Sequence, residues 1–156
     1  MFSPRSMKNF RQDLFNHRNA RNVGNTDQFD YNCAGYALGT FSWYLPTRTD
    51  GMWGDWFEND EEIAELTQEC VQVMLEDFAD LRVIADMSEL GIGEYAIAFR
   101  LSADGDFHYM KQVFYGDWKH KTGIGDIHEI SQEEVFTTEW RGGRYNGPII
   151  LFAKKF

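Results

Sequence analysis

Tyr95-Ala-Ile-Ala-Phe-Arg-Leu101, Ala103-Asp-Gly-Asp106, Phe107-His-Tyr-Met-Lys-Gln-Val-Phe-Tyr115, Gly116-Asp117 and Trp118-Lys-His-Lys121 form the stretch whose reading decides the fold. Residues 95–101 are an apolar run broken only by Arg100, short enough for a strand and bounded by turn-forming residues. Asp104-Gly105 then supplies a turn into a second strand over 107–115, and Gly116-Asp117 supplies another into a third over 118–121. Three runs joined by short turns read as an antiparallel meander. A further β-rich run, Pro148 to Phe156, closes the sheet.

Upstream of this sheet the period changes. Asn59 followed three residues later by Glu62 is a capping-box pattern, with Asn in place of Ser, and it opens an amphipathic helix through Ile63, Leu66, Cys70, Val73, Met74 and Phe78. Cys70 falls on the apolar stripe of that helix, so packing accounts for it. Earlier still, Asn32 to about Tyr44 carries the small residues Ala34, Gly35, Ala37 and Gly39, which suit a helix buried closely against its neighbours and stopped by Pro46. Either Asn32 or Asp30 is placed to cap its start. Helices first and an antiparallel sheet second make the class α+β. The chain reads as a single domain over 1–156, in which 1–30 is a polar, Arg- and Asn-rich arm and 31–156 the core.

The bulk properties narrow the function. A chain of 156 residues with 43% hydrophobic and 16% aromatic content suffices for one packed core. Its net charge of −10 is concentrated: residues 50–94 hold fourteen Asp or Glu against one Arg. Such a field repels phosphate backbones and anionic lipids, which argues against nucleic acid and membrane partners and leaves a cationic peptide or protein. With no run of ~18 apolar residues and no leader pattern, the expected location is the cytoplasm. Two cysteines in dissimilar segments do not make a disulfide framework.

The chemistry converges on three residues. A thiol is a nucleophile only as thiolate, and the start of a helix favours negative charge through its unpaired N–H groups, so Cys33 is placed to react; the alternative reading is a small hydrophobe buried on a small-residue helix. His108 stands at the start of a strand, where the pleat fixes its direction and makes it a candidate base. His120 lies twelve residues later across the Gly116-Asp117 turn, within reach of the first imidazole as an orienting group. Asp126 is an alternative orienting residue, because carboxylates fill that role in other triads. His128 reads as a solvated side chain in a loop. Zinc on Cys33, His108, His120 and His128 is a rival reading, although the spacing matches no compact finger and neither metal nor cofactor is expected. Trp53 and Trp56 sit in a glycine-bearing aromatic loop that either lines a substrate groove or caps the core.

Tyr31-Asn-Cys-Ala-Gly-Tyr36, followed by His108 and then His120, resembles the NlpC-type branch of the papain-like cysteine peptidases, whose members carry Asp-Cys-Ser-Gly at a helix start, a strand His and a polar residue on the next strand. Asp106-Phe-His-Tyr-Met-Lys-Gln112 with Gly116-Asp-Trp-Lys-His-Lys-Thr-Gly123 is similar to a phage and bacterial subgroup with a Trp-Ser-His-Lys-Pro-Gly run. Here Lys119 replaces Ser and Thr122 replaces Pro, while Asn32 and Ala34 stand where the family has Asp and Ser. The resemblance implies a papain-like fold with the nucleophile helix on an antiparallel sheet. It implies Cys33 as nucleophile, His108 as general acid and base, His120 as orienting group and Tyr31 as a residue positioning the thiolate side. The implied substrate is a peptide amide, most commonly cell-wall peptide, with delivery by a phage apparatus as one way out of the cytoplasm. The rival is an inactive module of the same fold that binds a protein partner through its acidic face.

Overall fold

The computed structural model describes residues 30–47, 59–114, 117–122 and 125–156. Its elements are α1 (Cys33–Leu38), α2 (Asp60–Asp77), β1 (Leu81–Ile84), a short 3-10 turn at Met87–Glu89, β2 (Glu94–Leu101), β3 (Phe107–Phe114), β4 (Asp117–Lys121), β5 (Ile127–Ser131), α3 (Gln132–Val135) and β6 (Ile150–Lys155). The six strands form one sheet in the order β1-β6-β2-β3-β4-β5, with every neighbour antiparallel. The α+β class follows directly. The terminal run, β6, enters the sheet between β1 and β2.

The central hairpin forms where the turn chemistry places it. Gly105 takes φ of 79°, a left-handed conformation that glycine adopts without a Cβ penalty, and Ser102 N–H donates to the Asp106 carbonyl at 2.8 Å. The pairing Phe99↔Tyr109 and Arg100↔His108 then sets the faces. Because successive side chains alternate, Tyr95, Ile97, Phe99, Leu101, Phe107 and Tyr109 share one face, buried with Cys33, Leu38, Cys70 and Met74 of α1 and α2. Ala96, Ala98, Met110 and Trp118 share the other, covered by Val135, Trp140 and Tyr145.

α2 begins as its cap dictates, with Asn59 Oδ1 accepting from Glu62 N–H at 3.0 Å. Its exposed side carries Asp60, Glu61, Glu62, Glu65, Glu69 and Glu76, and its buried side carries Ile63, Cys70, Val71 and Met74. Two elements correct the sequence expectations. α1 stops at Leu38 rather than running to Tyr44, because Gly39 takes φ of 75° and the Thr40 and Phe41 N–H groups both turn back to the Gly35 carbonyl at 3.1 Å. A left-handed glycine, not Pro46, ends the helix. His128, expected in a loop, lies on β5 opposite His120. The sequence of β5 alternates weakly and is half exposed, so it earns its place from the edge of β4 rather than from its own pattern. The arm over 1–29 and the Gly116 turn lie outside the described residues.

Candidate functional site

Cys33 is the first residue of α1. Its position is set by Asn32, whose Oδ1 accepts from the Gly35 N–H at 3.0 Å and from the Tyr44 N–H at 3.3 Å, while its Nδ2 donates to the Tyr44 carbonyl at 2.9 Å. One side chain therefore caps the helix and staples the returning segment beneath it. Gly35 makes that return possible, since a Cβ there would lie 1.9 Å from the Ser42 carbonyl oxygen. α1 packs against β3 and β4.

The Cys33 thiol is buried, with 5% of the residue exposed. Desolvation pushes its pKa up to about 12, helped by the Asp106 carboxylate. The backbone N–H groups of Tyr109 and Ala34 and the Lys121 ammonium pull the other way. At rest the group is a neutral thiol. It meets β3 at the Tyr109 amide, one residue from His108, on the face that carries Phe107 and Tyr109.

His108 leaves β3 on the other face. Its ring lies 5.4 Å from that of Tyr145 and 6.0 Å from that of Trp140, and it is 2% exposed. The Trp140–Tyr145 wall is held by a tight turn in which Arg141, Gly142 and Gly143 all have positive φ, and by paired backbone bonds between Trp140 and Tyr145 at 3.0 and 3.2 Å. His108 Nε2 and His120 Nδ1 are 2.8 Å apart, and the rings stand nearly perpendicular. Burial drives the pKa of His108 well below the ordinary histidine range, and His120, Arg141 and Arg144 add to the shift. His120 is lowered to about 4, by burial first and then by His128 and Arg141. Both imidazoles are neutral at pH 7. In such a pair one ring donates and the other accepts, which commits Nε2 of His108 and leaves its Nδ1 for another partner.

The structure thus brings His108 and His120 together, as the twelve-residue spacing anticipates, and puts His120 rather than Asp126 within bonding distance of His108. Among the described residues no hydrogen bond joins the Cys33 thiol to His108; the two approach β3 from its two faces. Tyr31 is buried, its ring 5.0 Å from that of Phe41 and under the Lys121 ammonium. Trp53 and Trp56 lie outside the described residues. Cys70 is a free, buried thiol on α2. Among the described residues no three His, Cys, Asp or Glu side chains gather as a metal site, so the Cys33-His108-His120-His128 set is not assembled as one. No described helix is long and apolar enough to cross a membrane.

Lys121, Trp140, Tyr145 and Asp106 escaped the sequence reading. Asp106 accepts from Tyr145 OH and from Arg144, each at 2.8 Å, and so ties the start of β3 to the aromatic wall behind His108. The only sequence signal for Lys121 is the period of two in Trp118-Lys-His-Lys121, which places it opposite His120. Comparison of the chain with protein-family models, with curated proteins and with solved structures finds no match to any of them.

Proposed function

We propose that this chain is a papain-like thiol hydrolase that cleaves an amide bond in a peptide, with Cys33 as nucleophile, His108 as its base and His120 as the group that orients the base. The observation that carries the reading is the 2.8 Å contact between His108 Nε2 and His120 Nδ1. With Nε2 of His108 donating to His120 Nδ1, the tautomer this reading requires, Nδ1 of the buried imidazole is unprotonated and is the nitrogen that acts as the base. Cys33, in the first turn of α1 and meeting β3 at the Tyr109 amide next to His108, is the candidate nucleophile.

Because the thiol and both imidazoles are neutral at rest, the reaction begins from a neutral pair. Since the thiol and His108 meet β3 from its two faces at rest, the reading requires a rearrangement around the start of β3 on substrate binding that brings the sulfur to His108 Nδ1. Sulfur attacks the carbonyl carbon as His108 takes the thiol proton, and the C–N bond then breaks as that proton passes to the departing amine. Water, deprotonated by the same imidazole, hydrolyses the thioester and restores the thiol. Cell-wall peptide is the first substrate to test, on the strength of the resemblance around Cys33, His108 and His120.

The test is hydrolysis of a peptide and cell-wall-fragment panel followed by mass spectrometry, with acid quenching to trap an acyl adduct on Cys33. Cys33→Ala and His108→Ala are expected to abolish cleavage, and His120→Ala to reduce it. Cleavage unchanged in Cys33→Ala removes the reading. The burial of Cys33 favours a second one, an inactive module that binds a cationic protein through the acidic side of α2. Under that reading the panel is untouched, and Cys33 labelling by iodoacetamide is indifferent to His108→Ala.

A further inference from the structure

His120 has a second histidine on its other side. β4 lies between β3 and the edge strand β5, and the register that sets His120 opposite His128 puts both side chains on one face of the sheet. The two rings are 6.1 Å apart and inclined at 52°. His128 is exposed and His120 half-buried, so the pair opens to solvent. His120 Nδ1 is committed to His108 Nε2 at 2.8 Å, and the two nitrogens of an imidazole diverge across the ring, so Nε2 of His120 points away from His108. An imidazole nitrogen sits about 2.0–2.1 Å from a zinc ion, which places the centres of two rings on one ion about 5–6 Å apart. A small rotation of the exposed His128 side chain brings the pair to that span.

We propose that His120 Nε2 and His128 form a surface site for a zinc ion, and that filling it switches off His108 as a base. The switch rests on the thiol-hydrolase reading; the site itself does not. Neutral imidazole is a preferred ligand of zinc, and His120 is neutral at pH 7, so it binds the ion with no net loss of a proton. Glu134 favours positive charge at His120 and Arg141 opposes it. Two protein ligands leave the remaining positions to water, so the site is weaker than a closed four-ligand one. The switch follows from the bond between the rings. In the catalytic arrangement His108 donates from Nε2 to His120 Nδ1, and the His120 proton sits on its own Nε2. Zinc takes the lone pair of that nitrogen and requires the His120 proton on Nδ1, where it donates to His108 Nε2. The one proton of neutral His108 then moves to Nδ1. Each ring keeps a single proton, but the nitrogen that accepts from the Cys33 thiol has become a donor.

The experiment is calorimetric titration of zinc chloride into the untagged full chain at about pH 7, for the parent and His128→Ala. Folding of the variant is checked by circular dichroism, and His128→Thr, whose side chain suits a strand, replaces it if it is unfolded. One zinc per chain is expected in the parent, with affinity at least about tenfold weaker in the variant. Equal affinity in the two proteins, or no binding by the parent below about 1 mM zinc, overturns the site. Nitrogen NMR of the histidine rings reads the switch without any substrate. Zinc is expected to move the His108 proton from Nε2 to Nδ1, and an unmoved proton overturns the switch. In the peptide-cleavage assay, zinc that saturates the parent is expected to lower its rate at least about tenfold and to spare His128→Ala, each compared with its own zinc-free rate. Equal inhibition of both proteins places the ion on the thiol, which overturns the switch and leaves the hydrolase reading. Zinc binding that depends on His128, with the proton shift but without any cleavage by the parent, removes the hydrolase reading and supports the metal site.

Discussion

Replacing Gly35 by Ala tests the packing that holds Cys33 in place. An added Cβ would lie 1.9 Å from the Ser42 carbonyl oxygen, 3.0 Å from its carbon and 3.1 Å from its nitrogen. Contacts below 3.0 Å are essentially never seen, so the 40–44 segment must retreat by about 1 Å. That segment is backbone, held by the Asn32 bonds to Tyr44 at 2.9 and 3.3 Å, and cannot yield as a flexible side chain would. Overpacking of this kind costs about 1–3 kcal/mol, and weakening one Asn32–Tyr44 bond adds about 1 kcal/mol. The better helix propensity of Ala offsets about 1 kcal/mol. The net loss is about 2 kcal/mol, which in a chain of this size lowers the melting temperature by roughly 4–8 °C. The assay is thermal unfolding followed by circular dichroism, with exposed Gln68→Ala as a control expected to stay within about 0.5 kcal/mol. A Gly35→Ala melting temperature equal to or above the parent's refutes the close approach of Ser42 to α1.

Arg100→Met should lower stability by about 3 kcal/mol in denaturant titration, because the buried guanidinium donates to the Gly147 carbonyl at 2.7 Å and to the Thr137 carbonyl at 3.0 Å, and its loss leaves these acceptors without their donor. Cys33→Ala should abolish peptide cleavage and also cost about 1–2 kcal/mol, since the thiol is packed among Phe107, Tyr109 and Leu38 rather than exposed. Acidification should destabilise the protein. His108 and His120 have folded pKa values below the ordinary 6.5, His120 at about 4, so the unfolded chain binds more protons from about pH 6.5 down through those values. The stability they contribute is complete above pH 6.5 and lost as pH falls, and melting temperatures measured from pH 7 to 4 should fall less steeply in a His108→Gln, His120→Gln double variant than in the parent.

The local chemistry of the chain was enough to place its main elements. Asn59 and Glu62 marked the start of α2, the Asp104-Gly105 turn joined β2 to β3, and alternation with a twelve-residue spacing put His108 and His120 on one face of neighbouring strands. These are short-range effects, in which a side chain acts on its own backbone or a turn sets a register. What needed the tertiary structure was long-range. The end of α1 is not legible in the sequence because the left-handed Gly39 and the return of Ser42 over Gly35 depend on Asn32 reaching Tyr44, a contact that no periodicity records. β5 is not legible in the sequence because its residues form a strand by pairing with β4. The burial of Cys33, the wall of Trp140 and Tyr145 behind His108, and Lys121 beneath Tyr31 come from segments distant in the chain. A residue's type and spacing state what chemistry it can perform, whereas its protonation depends on desolvation and on neighbours gathered by the fold, and only the assembled sheet sets those.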